Sequence, residues 1–147
     1  MTLHSLRDRT LGVIPIRLGL GVLLLVAARI AGAPSTAALL AFVSGVIGIT
    51  FLLFNDPRSR FQPTRAEPQA APPDARVAPV WRQALAATLP STVGLAVLAV
   101  ITLVPQPTLS ALLAGVCAGL GVAAGLSLPR IDPTLYVDPK SGVVYRR

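Results

Sequence analysis

Two arginines interrupt an apolar stretch, and they are the residues with the clearest potential for chemistry. Arg17 and Arg29 both lie within residues 11–33. An ionisable side chain inside a membrane-length stretch is energetically unfavourable, so each arginine is a candidate functional contact. We predict either a contact with an anion or a lipid phosphate, or snorkelling, in which the long side chain extends to the membrane surface.

Acid–base and nucleophilic chemistry have little support in the sequence. The four apolar stretches contain no Asp, Glu or His, and the one histidine, His4, is near the N-terminus. Cys117 is the single cysteine, and a thiol acts as a nucleophile only beside a base. We interpret it as a small packing residue. The sequence therefore predicts no catalytic, metal-binding or cofactor-binding residue, and we do not expect an enzyme.

Four apolar stretches must position these residues, and they comprise residues 11–33, 35–54, 84–104 and 108–128. Each contains about 20 residues, the length that a helix needs to cross a bilayer core. Charged residues make up only 13% of the chain and hydrophobic residues 53%, whereas soluble domains carry about 25% charged residues. We predict an all-α membrane protein with four transmembrane helices.

The first stretch also has features of a cleaved secretory signal. Arg7 and Arg9 precede it, and the small residues at 31–33 resemble a cleavage site. However, the apolar run is longer than the usual ~7–15 residues of a signal, and Pro34 would directly follow the cut. These two features favour a retained helix.

Basic residues predict the orientation in the membrane. Apart from Arg17 and from Arg29, which is the one basic residue near the outer side, they lie in residues 1–10, in a Pro-rich linker at 55–82 and in a tail at 129–147. The connections near residues 32–34 and 105–107 are uncharged. Because basic segments stay in the cytoplasm, both termini and the linker are predicted to be cytoplasmic. Two tandem transmembrane hairpins, residues 11–54 and 83–128, then lie between them. The net charge of +7 is explained by this topology and by anionic membrane lipids rather than by nucleic acid.

An offset of 73 residues aligns the second hairpin with the first. Pro34 then matches Pro107, and Ala-Leu-Leu-Ala at residues 38–41 matches the same four residues at 111–114. Identities arise easily by chance in helices rich in Leu, Ala and Gly, so both duplication and coincidence stay open. A true repeat would be of the parallel kind, with its axis along the membrane normal.

Small residues line one side of the second and fourth stretches. Lipid provides no hydrophobic drive for helix association, so small side chains mark close approach of two backbones. We predict that these helices pack on each other or on a second copy. Leu120 belongs to a bulky face, where Leu120→Ala should destabilise less than Gly119→Leu if that face meets lipid. A path for a substrate along the small residues is the alternative interpretation. The predicted packing face comprises Ala37, Ala41, Ser44, Gly45, Gly48, Ala111, Gly115, Gly119, Gly121 and Gly125.

The linker and the tail lead to different predictions. Six prolines between residues 57 and 79 predict an extended, mobile linker, and Trp81 beside Arg82 is typical of an anchor at the membrane surface. In the tail, β-prone runs at 134–137 and 143–146 flank a turn with Pro and Gly, which predicts a β-hairpin. A lone hairpin is marginally stable, so it needs the membrane surface, the linker or a partner.

These patterns predict a non-enzymatic accessory or scaffold subunit of the cytoplasmic (inner) membrane. The Arg-rich, Lys-poor composition is the basis for expecting a bacterial membrane. Predicted partners are membrane lipids and a protein, either a different one or a second copy bound through the small-residue faces. The alternative is a small homo-oligomeric transporter or channel, which the lack of carboxylates and histidines in the apolar stretches disfavours.

Overall fold

The computed structural model describes residues 2–56, 67–89 and 91–147, most of which are helical. The described residues form five α-helices, namely α1 (Leu6–Ile30), α2 (Ser35–Asn55), α3 (Val80–Thr88), α4 (Ser91–Thr102) and α5 (Pro107–Ser127). α1, α2 and α5 are long and apolar enough to cross a membrane, the last together with a 3-10 turn at Leu128–Arg130. α3 and α4 meet at a bend of 52° and together pass the same test as one broken helix.

α1 begins earlier than hydropathy alone predicts. The apolar stretch starts at residue 11, but the helix starts at Leu6. The Ser5 hydroxyl caps it by accepting a hydrogen bond from the Asp8 N–H at 3.3 Å, and the Asp8 carboxylate is favourable near a helix N-terminus. Polar capping therefore extends α1 beyond its apolar part.

A glycine turn joins α1 directly to α2. Gly32 has φ +107°, in the region that favours glycine. The N–H of Ala33 donates to the Ala28 carbonyl at 3.0 Å, and the N–H of Gly32 donates to the Arg29 carbonyl at 3.2 Å. This pair of bonds is the Schellman motif, which satisfies the end of one helix and reverses the chain. Pro34 then precedes the first residue of α2.

α5 is the central helix of the bundle. It packs along α1 and α2 and also contacts α4, whereas α1 and α2 contact each other much less. α3 packs mainly on α1. The core is built from small side chains, since Ala28, Ala33, Ala38 and Ala111 form one cluster with at most 1% exposure. Such residues let helix backbones approach closely.

The two helical halves match in extent but not in packing. An offset of 73 residues carries the bounds of α1 onto the α3–α4 pair, and those of α2 onto α5, to within a residue. However, α1 is continuous while its counterpart is bent. α1 also packs along α5, whereas α2 has no comparable contact with α3 or α4 among the described residues. The packing therefore departs from twofold symmetry.

A five-stranded sheet gathers the segments outside the bundle. Its strands are β1 (Thr2–Ser5), β2 (Gln69–Ala70), β3 (Arg76–Val77), β4 (Leu135–Val137) and β5 (Val144–Arg146), in the order β2-β5-β4-β1-β3. β4 and β5 are antiparallel and form the hairpin that the tail sequence predicts. β1 pairs antiparallel with β4 and parallel with β3. The small sheet thus joins the N-terminal segment, the linker and the tail at one end of the bundle.

The linker contributes more regular structure than its prolines predict. Residues 69–70 and 76–77 form β2 and β3, which pair in parallel with β5 and β1. The Ala78 N–H also donates to the Leu3 carbonyl at 2.9 Å, and Leu3 is fully buried. Residues 57–66, where the predicted mobility also falls, lie outside the described residues.

Candidate functional site

Arg17 lies inside the bundle and is only 2% exposed. Its Nε donates to the Thr92 hydroxyl at 3.1 Å. Its two Nη atoms donate to the Leu120 carbonyl and to the Ala87 carbonyl, each at 3.5 Å. One guanidinium therefore links α1 to α3, α4 and α5.

The bend between α3 and α4 creates the need for these donors. α3 ends at Thr88 and α4 begins at Ser91, and Pro90, between them in the sequence, has no N–H. In a continuous helix the missing N–H of residue 90 would serve the Ala86 carbonyl. The Ala87 carbonyl would accept from the Ser91 N–H, which the bend separates from it. At a helix end such carbonyls need other partners. Arg17 supplies one, and its positive charge is favourable at the carboxyl end of α3.

α5 leaves space for the Arg17 side chain. A Cβ on Gly121 would lie 3.2 Å from the Arg17 Cβ, closer than an ordinary contact. Cys117, one turn before Gly121, is fully buried, and its Sγ donates to the Arg17 carbonyl at 3.7 Å. Its burial agrees with the interpretation of Cys117 as a packing residue.

The structure thus places Arg17 differently from either predicted contact. The guanidinium meets main-chain carbonyls and a hydroxyl inside the bundle, rather than extending to the membrane surface or to an exposed anion. Hydrogen bonds from a charged donor are stronger than neutral ones. In chemical terms the arrangement holds helices together. The predicted anion or lipid contact stays a prediction for Arg29.

Arg29 is exposed at the end of α1 that leads into the turn to α2. Its Nη1 donates to the Ala33 carbonyl, within the turn that Gly32 closes. Arg29 also lies in the last turn of α1, where a positive charge is favourable. The side chain therefore reinforces the connection from α1 to α2 and keeps its outer surface accessible.

Glycines bring α2 and α5 to backbone distance. A Cβ on Gly45 would lie only 2.5 Å from the Leu112 carbonyl oxygen. On the facing helix, a Cβ on Gly115 would lie 2.8 Å from the Phe42 carbonyl carbon. The second and fourth apolar stretches therefore pack on each other within one protomer.

The contact face of α2 differs from the predicted strip by about a quarter turn. Ser44 and Gly48 are exposed, and a Cβ on Gly48 would meet open space. The larger Phe42, Val46 and Ile49 lie against the glycines of α5 instead. The prediction is wrong at Ser44 and Gly48 for the contact with α5, because bulky residues of one helix pack into the small-residue notches of the other. Their predicted contact with a second copy stays a prediction.

The remaining predicted positions divide between the core and its margin, and Leu120 belongs to the core. Leu120 is 9% exposed, so the condition that its bulky face meets lipid does not hold at this residue. α5 is covered by three helices, and a bulky side chain on it has no single outward face. Among the predicted small residues, those buried are Ala111, Gly115, Gly119 and Gly121, and those half-buried are Ala37, Ala41 and Gly125.

His4 is the buried ionisable group of the small sheet. Burial lowers the pKa of His4, and the nearby charge of Arg9 acts in the same direction, while Asp138 opposes them. The pKa of the Asp138 carboxyl is itself lowered, first by a hydrogen bond from the Ser141 hydroxyl and then by the Lys140 N–H. His4 is therefore neutral at neutral pH, which suits its place on β1.

Asp132 fixes the start of the tail. It accepts hydrogen bonds from the Thr134 N–H at 2.9 Å and from its hydroxyl at 2.7 Å. These bonds are the main reason that the pKa of Asp132 is lowered, with the charge of Arg146 adding to them. Asp132 and Arg146 form an ion pair at 3.5 Å. This ion pair joins β5 to the segment that follows α5.

Sequence reasoning missed the partners of Arg17. Thr92, 2% exposed, is by type a residue that bonds within its own helix. Gln83 is fully buried on α3 and donates to the Ala78 carbonyl at 2.5 Å. No pattern in the sequence indicates that this glutamine is buried. The one available signal is Pro90 within an apolar stretch, because proline breaks or kinks a helix. It predicts a break but not which helix supplies the donors.

The part of the chain that the structure describes holds no group of three or more His, Cys, Asp or Glu side chains that could bind a metal ion. The chain matches no protein-family model, no curated protein and no solved structure. In structural terms it is a mostly helical protein with three membrane-length apolar helices, a bent helix pair joined to a buried arginine, and a small sheet.

Proposed function

We propose that the protein spans a membrane four times, through α1, α2, the α3–α4 pair and α5. Support comes from the outward faces of the helices, which carry large apolar side chains. An exposed apolar surface of this extent is unfavourable in water and typical of contact with lipid or a partner. Residues more than half exposed include Val22, Leu23, Leu40, Ile47, Phe51, Val100 and Ile101.

The proposed orientation puts the small sheet in the cytoplasm, at the inner membrane of a bacterium. The sheet contains strands from all three basic segments, so these segments share one end of the bundle. The two uncharged connections lie at the other ends of the same helices. Basic segments stay on the cytoplasmic side, which favours cytoplasmic N- and C-termini.

Within that membrane we propose a non-enzymatic accessory or scaffold subunit. The observation that carries this proposal is the sheet itself. Short hairpins and linkers are marginal alone, yet here five strands from three segments pair into one platform. An ordered platform on a membrane bundle suits the binding of a cytoplasmic protein.

Cysteine accessibility tests the topology. In a Cys117→Ser background, single cysteines replace the exposed Ala70 of β2, Ser141 of the tail turn or Gln106 before α5. Intact cells are then treated with a membrane-impermeant maleimide. We expect labelling of the Gln106 variant alone. Labelling of the Ala70 or Ser141 variant from outside would refute the orientation.

Site-specific photo-crosslinking tests the scaffold role. A photoreactive amino acid is placed at exposed Gln69 or Val77 on the sheet edges, with exposed Ile101 on α4 as the control. In native membranes we expect protein adducts of discrete mass from the edge positions and not from Ile101. Absence of adducts at both edge positions would contradict the scaffold proposal.

The bend between α3 and α4 favours one second candidate, a homo-oligomeric transporter or channel. Broken helices often line binding sites near the middle of the membrane in transporters. Saturable flux through the purified protein in proteoliposomes would favour this candidate over the scaffold.

A further inference from the structure

We infer that Arg17 fixes the angle between α3 and α4. It thereby also sets the position of α3 and of β3, the strand that precedes α3. The inference concerns the conformation of the chain and goes beyond the proposed scaffold role. It rests on three acceptors that lie on different elements. They are Ala87 at the end of α3, Thr92 at the start of α4 and Leu120 on α5.

The planar guanidinium suits this task. Its N–H groups point in fixed directions, so bonds to both sides of a bend restrict the angle between the two helices. The third bond, to the Leu120 carbonyl, fixes the orientation of both helices relative to the central helix α5. A flexible ammonium group would keep the charge but not the geometry. Arg17 therefore acts as a positioning residue for the 52° bend.

α3 is covered mainly on one face. It packs mainly on α1, through contacts such as Ala84 against Gly12, where an added Cβ would lie 2.7 Å from the Ala84 Cβ. Its opposite face is open, with Trp81 60% exposed and Leu85 49% exposed. The connection to α4 itself adds little contact. Arg17 adds to this one-sided packing by linking the end of α3 to α4 and α5.

The charge of Arg17 also determines what the bend can bind. In discontinuous membrane helices, unwound carbonyls and half-helix carboxyl ends coordinate cations. Here the Ala87 carbonyl already accepts from a cation that is covalently part of the chain. The protein's own side chain thus takes the place that a bound cation takes in those helices.

Movement of α3 would displace β3, an edge strand of the small sheet. β3 ends at Val77 and α3 begins at Val80, and the Ala78 N–H between them donates to the Leu3 carbonyl. A swing of α3 away from α1 would pull this short segment from β1. The buried Arg17 thereby couples the interior of the bundle to the edge of the platform.

Thiol protection provides the test. In a Cys117→Ser background, cysteine is placed at Ala87, which is 6% exposed on α3, or at Ala111, which is 0% exposed on α5. Each is combined with Arg17→Met, which keeps an unbranched apolar stem and removes the donors. The full-length protein in detergent micelles is reacted with a water-soluble maleimide. We expect labelling at position 87 to rise by about tenfold or more, the effect of losing one hydrogen bond from a charged group, with no change at position 111.

Unchanged protection at position 87 would overturn the inference, and so would an equal rise at both positions, because Arg17 would then support the whole bundle. If Arg17→Met does not fold, the double variant Arg17→Met, Pro90→Ala decides. Alanine removes the proline ring, which in a continuous helix clashes with the Ala86 carbonyl, and restores the N–H that this carbonyl lacks. The helix can then continue, and the Ser91 N–H can reach the Ala87 carbonyl in place of the arginine. The double variant should fold with position 87 protected, and its failure to do so would overturn the inference.

Discussion

One added methyl group at Gly115 should separate α2 from α5, whereas the same change at Gly48 should not. A Cβ at position 115 would lie 2.8 Å from the Phe42 carbonyl carbon and 2.9 Å from the Phe42 Cα. Those atoms belong to the backbone and cannot rotate away as a side chain can. A Cβ at position 48 meets nothing within 4 Å. The two substitutions are chemically identical and differ only in their surroundings.

The distances give the size of the effect. Carbon atoms in contact are about 3.5–4.0 Å apart, so the helices must separate by roughly 0.7–1 Å, which forfeits a quarter to a half of each dispersion contact there. Overpacking of this kind costs about 1–3 kcal/mol, and the higher helix propensity of alanine offsets up to about 1 kcal/mol. We expect Gly115→Ala to lower the free energy of unfolding by about 1–2 kcal/mol. We expect Gly48→Ala to leave it unchanged or raise it by up to about 1 kcal/mol.

The assay is reversible unfolding of the purified protein in mixed micelles of increasing SDS content, followed by far-ultraviolet circular dichroism. Gly45→Ala, on the facing helix, should behave like Gly115→Ala. The double variant should lose less than the sum of the two, because the first substitution has already moved the helices apart. Equal destabilisation by Gly48→Ala and Gly115→Ala would refute the assigned interface.

Three further predictions follow from single positions. Leu120→Ala should lower the free energy of unfolding by about 2–5 kcal/mol. Leu126→Ala, at a residue that is 54% exposed, should change it by about 0.5 kcal/mol or less. Equal effects of the two variants in the same detergent titration would contradict the central place of α5. Gly32→Ala should lower the free energy of unfolding by about 1–3 kcal/mol, because φ is +107° at this position. Amide hydrogen exchange in the turn should become faster, and an unchanged exchange rate would contradict the prediction. Because the pKa of His4 is lowered from 6.5, its contribution to stability is present above that value and lost as pH falls through the lowered pKa. The protection factor of the Val137 amide, which is its intrinsic exchange rate divided by the observed rate, should therefore fall on acidification, since Val137 lies opposite His4 in the sheet. His4→Gln should remove this pH dependence, and an identical pH profile of the protection factor in the variant would contradict the prediction.

Hydropathy and turn chemistry predict the long helices and the tail hairpin well, because both are local properties. The second apolar stretch, residues 35–54, becomes α2 at Ser35–Asn55, and the fourth, residues 108–128, becomes α5 at Pro107–Ser127. The turn in the tail contains Gly142 at φ +71°, as a Pro- and Gly-bearing loop between β-prone runs suggests. Each of these elements is determined by neighbours within about 20 residues.

Features that depend on distant partners could not be predicted in the same way. β1 is a four-residue segment whose strand character comes from pairing with residues near 76 and 136. The burial of Arg17 depends on which helices lie opposite, and hydropathy does not report that. The packing face of α2 was likewise set by the shape of α5 rather than by the small residues of α2 alone. Periodicity finds a candidate stripe, but the partner decides which side of the helix is used.

The interior place of β1 has a consequence for biosynthesis. β1 leaves the ribosome before the other four strands, yet its neighbours β3 and β4 follow the first and the second hairpin. If the four spans cross as proposed, the strands can meet only when each hairpin crosses the membrane an even number of times. A hairpin that failed to insert one of its two spans would place β1 and a required neighbour in different compartments. Completion of the sheet would then distinguish correctly inserted copies from misinserted ones, whose unpaired strands would be open to cellular proteases.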